Sequence, residues 1–301
     1  MILEPNRLRR RRMFRAVAGI AAVLVAGSVL ASGWTLPAFS NVKATATPGP
    51  GATPTNAVAV TPTSTPGTSL TPSVPPPSPE PTRGPDGCLP PPADLQPATV
   101  VSHAHGTAKV VALTFDDGNN AGNVALIRQF LVRYRVNATF FPTARAVELA
   151  PETWQRIAEA GFPIANHTYH HASLAKQCFD KQLAELEKAK SVVAAQGLTL
   201  QGFMRPPFED FDRNTQLAAA AAGEGYVVLW NVDTLDWTGI TGVTIAGRAI
   251  GAGPGAIILM HTTRLATTHA LSQIVAHYRK RGYTFVTIGQ LLGIPGPVPF
   301  P

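Results

Sequence analysis

Residues 110 to 118 read Val110-Val111-Ala112-Leu113-Thr114-Phe115-Asp116-Asp117-Gly118. The apolar run predicts a buried strand, so the two acids lie at its C-terminal end, where α/β sheets collect their functional side chains. Two adjacent carboxylates in such a position favour a bound cation. We therefore interpret the rest of the chain outward from this strand end.

Two histidines further along the chain offer partners for such a cation. His167 and His171 are four residues apart, which predicts that both imidazoles lie on one face of a helical turn. On that turn His170 would point about 100° away from His171 and stay outside the site. One carboxylate and two imidazoles leave a coordination position for water, as in hydrolytic metal sites. Either motif alone is a weak signal, and together they predict a metal centre.

Strand and helix patterns alternate from about residue 107 onward. Predicted strands cover residues 110–113, 138–141, 202–204, 226–230, 256–260 and 284–288. Predicted helices cover residues 124–134, 151–160, 181–195, 215–222, 244–250 and 270–280. Repeated βα units predict an α/β fold with a parallel sheet and helices outside it. The polar motifs at the strand ends would then lie together at one end of the sheet.

Five polar motifs, in this order, resemble those of the polysaccharide deacetylase (NodB homology, carbohydrate esterase 4) family. They are Thr114-Phe115-Asp116-Asp117-Gly118, His167-Thr168-Tyr169-His170-His171, Arg205-Pro206-Pro207-Phe208, Asp233-Thr234-Leu235-Asp236-Trp237 and Leu259-Met260-His261. The resemblance covers approximately residues 107 to 291. It implies a deformed barrel of about seven βα units, smaller than a full eight-stranded barrel.

The resemblance also implies a role for each motif. Asp117, His167 and His171 would bind a divalent metal, most simply Zn²⁺, although Co²⁺ or Ni²⁺ would also fit. Asp116 would be the general base, and His261 would be the acid that protonates the leaving amine.

The remaining motif residues would support these groups. Arg205 would pair with Asp116, and Asp236 would orient and charge His261. The backbone N–H of Phe208 would help to hold the oxyanion. Trp237 would provide a flat surface on which a sugar ring can stack, and Leu259 would line a pocket for the acetyl methyl group. The alternative for both is ordinary core packing.

The third motif departs from the family pattern. Glu209 and Asp210 follow Phe208 where the family often has glycine. These carboxylates could narrow the groove, repel an anionic polymer or face water. They replace no metal ligand, base or acid, so we expect activity.

The N-terminal third of the chain has a different composition. Residues 1–42 combine an arginine-rich start with an uncharged apolar run, which predicts a signal peptide or a membrane anchor helix. Residues 43–98 are rich in Pro, Thr and Ser and predict a disordered linker. Residues 99–301 would then form the catalytic domain. Cys88 and Cys178, the only cysteines, could form a disulfide that pins the linker to this domain or remain free thiols.

The net charge of +7 does not indicate a nucleic-acid partner. Most of the excess comes from six arginines against one glutamate in residues 1–15, where positive charge directs membrane insertion. We expect an extracytoplasmic protein, secreted or membrane-anchored at the cell wall, with a monomer favoured.

Three functions fit these observations. The first is a metal-dependent polysaccharide deacetylase that removes the N-acetyl group of N-acetylglucosamine units, with peptidoglycan favoured and chitin-type oligomers as a further substrate. The second is an esterase for O-acetylated glycans such as xylan, and the third is a catalytically silent cell-wall-binding protein on the same fold. A serine hydrolase is disfavoured because no Gly-x-Ser-x-Gly sequence is present.

Overall fold

The structure is a computed structural model, and it describes residues 82–84 and 87–300. The predicted signal or anchor segment (residues 1–42) and most of the predicted linker (residues 43–98) lie outside the described residues. Within the described ranges, no helix has both the length and the apolar character needed to cross a bilayer.

Among the described residues, eight strands form two parallel sheets. They are β1 (Thr99–Val101), β2 (Val110–Asp117), β3 (Ala138–Pro142), β4 (Phe203–Met204), β5 (Tyr226–Val228), β6 (Val232–Asp233), β7 (Ala256–His261) and β8 (Thr284–Phe285). One sheet has the order β1-β5-β4, and the other has the order β3-β2-β7-β6 with β8 paired to the start of β2. All strand pairs are parallel, as the βα alternation predicts.

The predicted barrel is not confirmed as a closed ring. The strands of the described residues pair within two sheets, and single-residue bridges from Phe140 to Ile164 and from Asn166 to Met204 link β3 to β4. Strand β4 has only two residues, because Pro206 and Pro207 come one residue after it and proline cannot donate a ladder hydrogen bond.

Eight α-helices accompany the strands in the part of the chain that the structure describes. They are α1 (Ala121–Arg133), α2 (Ala144–Leu149), α3 (Pro151–Glu159), α4 (Phe179–Ala195), α5 (Arg213–Ala221), α6 (Gly242–Ala249), α7 (Leu265–Lys280) and α8 (Ile288–Leu292). The sequence analysis missed α2 and α8. The predicted strand at residues 284–288 ends at Phe285, because Thr287 forms a capping box with Gln290 and starts α8 instead.

Strand β2 lies at the centre of its sheet and of the main core. Leu113 and Phe115 on this strand are fully buried. Phe115 stacks on Phe140 of β3, and Trp154 of α3 meets Phe140 edge-on. Full burial of each such side chain contributes about 1.5 to 3 kcal/mol. This packing makes the C-terminal end of β2 a rigid base for the two carboxylates.

A disulfide joins Cys88 to Cys178, with a Cα–Cα distance of 5.5 Å. Cys178 is the N-cap of α4, and Arg83 pairs with Asp180 in the first turn of that helix at 2.9 Å. Of the two alternatives for the cysteines, the disulfide is therefore confirmed. It attaches the end of the predicted linker to α4.

Candidate metal centre and active site

Strand β2 ends in the two adjacent carboxylates. In a regular strand Asp116 and Asp117 would point to opposite faces. Asp117, however, has a φ of 76°, in the left-handed region, and the single ring nitrogen Nε2 of His167 lies 3.9 Å from Asp116 Oδ2 and 3.7 Å from Asp117 Oδ1. The turn at the strand end therefore brings both carboxylates to one site.

Gly118 allows the chain to leave this site. Its φ is 90°, and a Cβ at this position would lie only 2.5 Å from Cζ2 of the buried Trp154. No L side chain fits there without displacing the core. The glycine of the first motif is thus required by geometry.

The predicted helical turn at the histidine pair is wrong. Residues 166–171 form an irregular loop in which Thr168 (φ 63°) and His171 (φ 62°) are left-handed. This loop still brings His167 and His171 together, with their ring centroids 4.9 Å apart. The two histidines four residues apart thus lie close together, although not on a helical turn.

His170 stays outside the site, as predicted, but the helix argument for it does not apply. Its backbone N–H and its ring nitrogen Nδ1 bind the Glu185 carboxylate of α4, at 3.1 and 2.5 Å. A carboxylate of the neighbouring helix, rather than helical periodicity, holds His170 away.

Asp117, His167 and His171 form the candidate metal site. One ligand atom of each lies within 4.8 Å of the others, and Asp117 Oδ1 is 3.3 Å from Nε2 of His171. Asp117 Oδ1 is buried yet makes no hydrogen bond to any residue that the structure describes. A buried oxygen with no hydrogen bond beside two imidazoles fits a cation between them.

The protonation states also suit a cation. His167 Nδ1 lies 2.8 Å from the carbonyl oxygen of Arg205, which can only accept, so Nδ1 is the donor there and Nε2 is the ring nitrogen that faces Asp117. Burial alone would raise the pKa of Asp117, but the imidazoles of His167 and His171 outweigh burial and hold this pKa well below its usual range. Asp117 is therefore an anion.

Arg205 is fully buried and holds Asp116. Its Nη1 donates to Asp116 Oδ1 at 2.7 Å and to Thr114 Oγ1 at 2.8 Å. Nε and Nη2 donate to the carbonyl oxygens of Val228 and Leu229, and the guanidinium lies 4.1 Å from the centre of the Phe141 ring. The predicted Arg205–Asp116 pair thus exists, and it fixes one carboxylate oxygen of Asp116 while Oδ2 stays near the histidine pair.

His261 forms the second predicted pair, with Asp236. Its Nδ1 lies 2.7 Å from Asp236 Oδ1, and its backbone N–H donates to Asp236 Oδ2 at 2.7 Å. Burial alone would lower the pKa of His261, but the hydrogen bond and charge of Asp236 raise it to about 9. His261 is the residue opposite Asp116 in the β2–β7 register, so a proton donor stands beside the carboxylate site.

The three predicted substrate residues differ in exposure. Phe208 (φ 61°) and Trp237 have 63% and 47% of their surface exposed, and the Phe208 ring meets His171 edge-on with centroids 4.5 Å apart. Leu259 is only 3% exposed. Both aromatic rings are therefore exposed, that of Phe208 beside His171, whereas Leu259 packs in strand β7.

The carboxylates that follow Phe208 do not simply face water. Asp210 accepts a hydrogen bond from the hydroxyl of Ser173, two residues after His171. This contact ties the third-motif loop to the histidine loop. The departure from the family pattern thus adds a connection between two loops of the site.

The sequence analysis missed three polar residues behind the site. Thr262 Oγ1 and N–H both donate to the carbonyl oxygen of Asp116, and Asn123 donates to the Thr262 carbonyl at 2.7 Å. Thr267 donates to Asp236 Oδ2 at 2.6 Å. Thr262 follows His261 directly and could have been suspected, but Asn123 and Thr267 lie on helices with no local signal.

The chain resembles known deacetylases over a region that contains Asp117, His167 and His171. A family model described as polysaccharide deacetylase matches residues 103–227. The chain is 35% identical over 183 residues to a peptidoglycan-N-acetylglucosamine deacetylase of Bacillus cereus, an alignment that covers 59% of this chain and 66% of that relative. It spans about 40% of the length of the next two curated relatives.

Solved structures agree with this resemblance. A crystal structure of a peptidoglycan N-acetylglucosamine deacetylase superposes with a TM-score of 0.63 and 30% identity, over 65% of this chain and 94% of that one. A carbohydrate esterase 4 (CE4) pseudoenzyme from Bacillus anthracis superposes with a TM-score of 0.62 and 28% identity, over 66% of this chain and 70% of that one. The fold is thus shared by an enzyme and by a protein described as a pseudoenzyme.

Proposed function

The chain belongs to the polysaccharide deacetylase (NodB homology, carbohydrate esterase 4) family, and from this membership we propose that it is a metal-dependent N-deacetylase of N-acetylglucosamine polymers. The reaction hydrolyses the acetamide C–N bond to give acetate and a free amine. One observation carries the proposal. The ligand atoms of Asp117, His167 and His171 converge within 4.8 Å beside a buried carboxylate and an imidazole that are each held by a charged partner.

Asp117, His167 and His171 would hold the metal, with Zn²⁺ the simplest choice and Co²⁺ or Ni²⁺ as alternatives. A divalent metal bound there would polarise the acetyl carbonyl and make an attacking water more acidic.

Asp116 is the base in this proposal. Its Oδ2 lies near the histidine pair, while its Oδ1 is held by Arg205, so the carboxylate is oriented before substrate arrives. Oδ2 would accept the proton of the attacking water as the acetyl carbon becomes tetrahedral. Arg205 positions this carboxylate and, being buried with four donated hydrogen bonds, cannot swing away.

His261 is the acid. Since Nδ1 binds Asp236, the proton for transfer is on Nε2, and it would pass to the amide nitrogen as the C–N bond breaks. An amine leaves poorly as an anion, so this protonation is required. Asp236 holds the ring in the productive orientation and stabilises its protonated form.

The exposed aromatic residues would bind the polymer. Trp237 offers its face to a sugar ring, and the backbone N–H of Phe208 would donate to the developing oxyanion. Leu259 would form the floor against the acetyl methyl group.

Peptidoglycan is the substrate we favour. The Bacillus cereus relative is a peptidoglycan-N-acetylglucosamine deacetylase, and the disulfide of this chain suits an oxidising, extracytoplasmic compartment. The catalytic domain would be residues 99–301, with residues 43–98 as a linker and residues 1–42 as the signal or anchor segment. In this proposal the protein is a monomer that is either membrane-anchored or secreted at the cell wall.

Acetate release tests the proposal. The purified chain is stripped of metal, supplied with Zn²⁺ or Co²⁺, and assayed on N-acetylglucosamine oligomers, peptidoglycan and O-acetylated xylan. We expect metal-dependent release with a free amine as the second product. Asp116→Asn should reduce the rate about 10²- to 10⁴-fold. His171→Ala should abolish the metal-dependent release, and Glu152→Gln, on the exposed surface of α3, should change nothing.

The other two candidate functions give different results in the same assay. Release from xylan with a free hydroxyl as product would identify an O-acetyl esterase. Binding of metal and peptidoglycan without acetate release would identify a silent wall-binding protein, and the Bacillus anthracis pseudoenzyme is the reason to include this outcome.

A further inference from the structure

Glu224 is a buried carboxyl group with no part in the mechanism proposed above. It lies between α5 and β5 and is 2% exposed. Among the described residues only Asp116, Asp236 and Glu224 have buried carboxyl side chains, and the first two belong to the proposed active site. Burying a carboxyl group costs free energy, so the contacts of Glu224 should show what its burial provides.

Glu224 contacts the residue that precedes the first metal-ligand histidine. Its Oε1 accepts a hydrogen bond from Nδ2 of Asn166 at 2.7 Å, and the same Nδ2 also donates to the carbonyl oxygen of Leu186 in α4 at 3.2 Å. Asn166 Oδ1 accepts from the backbone N–H of Thr168 at 2.9 Å. The side chain of Asn166 is thus held at both ends.

The hydrogen bonds continue from Thr168 to the second histidine. Thr168 Oγ1 accepts from the backbone N–H of His171 at 3.1 Å. Thr168 and His171 are both left-handed, a conformation that a non-glycine residue keeps only where its surroundings hold it. The chain Glu224–Asn166–Thr168–His171 therefore supports the strained part of the loop.

The backbone of Asn166 supports the first histidine in the same way. Its carbonyl oxygen accepts from the Arg205 N–H at 2.9 Å, while the Arg205 carbonyl oxygen accepts from His167 Nδ1 at 2.8 Å. A shift of Asn166 would therefore move both imidazoles.

We propose that Glu224 is a positioning residue for the metal site, which it orders through Asn166. The inference rests on the proposed metal site and is independent of the polymer that the protein acts on. Part of the metal affinity then depends on the segment between α5 and β5, which contains none of the five motifs.

Glu224 acts in this role as a neutral acid. Burial raises its pKa to about 8, against the opposing effects of Asn166 and Lys190. At neutral pH Oε1 is then a carbonyl-type acceptor, and Oε2 makes no hydrogen bond to any residue in the described ranges. Glutamine keeps the acceptor and the shape, whereas methionine keeps the shape alone.

The test compares the affinity for Zn²⁺ of Glu224→Gln and Glu224→Met, by competition of each metal-free protein with a chromophoric chelator. We expect the Met variant to bind Zn²⁺ about 10-fold more weakly, which is the smallest loss usually seen when a residue that supports a metal ligand is removed. The Gln variant should stay close to the unmodified protein. Asn166→Ser is a second way to cut the link, since a serine hydroxyl can still accept from the Thr168 N–H but cannot reach Glu224.

Asn137→Leu is the control for lost stability. The side chain of Asn137 forms two hydrogen bonds with the backbone of Phe300. Asn137 precedes the first residue of β3, whereas the last residue of that strand pairs with Asp117, so this variant changes the end of β3 away from the metal site. It should lower the melting temperature and leave the Zn²⁺ affinity unchanged.

Two results would overturn the inference. One is a folded Glu224→Met or Asn166→Ser variant with the full Zn²⁺ affinity, and the other is an equal loss of affinity in Asn137→Leu. If the unmodified chain bound no Zn²⁺, the proposed metal site would be wrong as well, so the two failures are distinguishable.

Discussion

Backbone strain is concentrated in the loops that carry the proposed site. Of the seven non-glycine residues with positive φ in the described part of the chain, all except Arg135 belong to these loops: Asp117, Thr168, His171, Phe208, Glu209 and Leu235. Each such residue costs on the order of 1 to 3 kcal/mol and persists only where its neighbours hold it. The site is therefore ordered by its supporting hydrogen bonds, which is why single supporting residues have measurable effects.

Asp236 should control the pKa of His261. Loss of the carboxylate in Asp236→Asn leaves burial, which lowers the pKa of an imidazole, as the main influence. Proton NMR titration of the metal-free protein should give a pKa of about 9 for His261 in the unmodified chain and a clearly lower pKa in the variant. The alkaline limb of deacetylase activity should move to lower pH in parallel.

Asp233→Asn is the matched control for this titration. It removes a nearby carboxylate that binds the Leu235 N–H rather than His261. An equal change in both variants would show that the pKa responds to net charge and not to the Asp236 contact.

Glu224 should make stability fall as pH rises. Its pKa is about 8 in the folded protein and 4.5 in an ordinary environment, so between these values the folded state binds the proton that the unfolded state releases. From pH 5 to pH 7.5 this costs about 3 kcal/mol, at 1.4 kcal/mol per pH unit. Urea unfolding of metal-free Glu224→Gln should lack this decline.

The exposed change Glu152→Gln provides the reference curve for that comparison. Its stability should follow that of the unmodified chain at every pH. Parallel pH curves for Glu224→Gln and the unmodified chain would rule out titration of Glu224 in this range.

At the level of elements, the end of β2 and the start of α1 depend on one glycine. In Gly118→Ala the new Cβ would clash with Trp154, and the alanine would have to adopt a positive φ. We therefore expect a loss of about 3 kcal/mol in the free energy of unfolding. We also expect weaker Zn²⁺ binding through Asp117. Chemical denaturation and chelator competition measure the two effects.

Gly122→Ala tests whether position rather than residue type matters. Gly122 is in the first turn of α1, and a Cβ there meets only Asn120 Oδ1 at an ordinary 3.5 Å. Alanine should stabilise the helix by up to about 1 kcal/mol. Equal losses in both variants would contradict the steric argument at Gly118.

At the level of the whole molecule, the disulfide closes a loop of 90 residues. Chain entropy predicts that Cys88→Ser with Cys178→Ser lowers the free energy of unfolding by about 4.6 kcal/mol. Urea denaturation of oxidised protein and of the double variant measures this difference. Reducing agent should destabilise the unmodified chain to the same level and leave the double variant unchanged, and an unmodified chain that is insensitive to reductant would refute the prediction.

Sequence patterns predicted most helices and strands of the domain, and the elements that they missed are short. Helix α2 and helix α8 have six and five residues, too few for a clear period, and β6 has two. The predicted barrel is not confirmed as a closed ring, for a related reason. Whether short strands join into one ring depends on contacts between distant segments, and no local pattern reports them.

The sequence by itself determined the residue types and the order of the five motifs, because metal binding and proton transfer need particular side chains. Only the tertiary structure decided how those side chains meet. Arg205 reaches Asp116 across 89 residues, a left-handed loop rather than a helix pairs His167 with His171, and Glu224 supports that loop from outside every motif. Local sequence encodes propensity and chemistry, whereas a buried hydrogen bond between distant residues is formed by the packing of the whole chain.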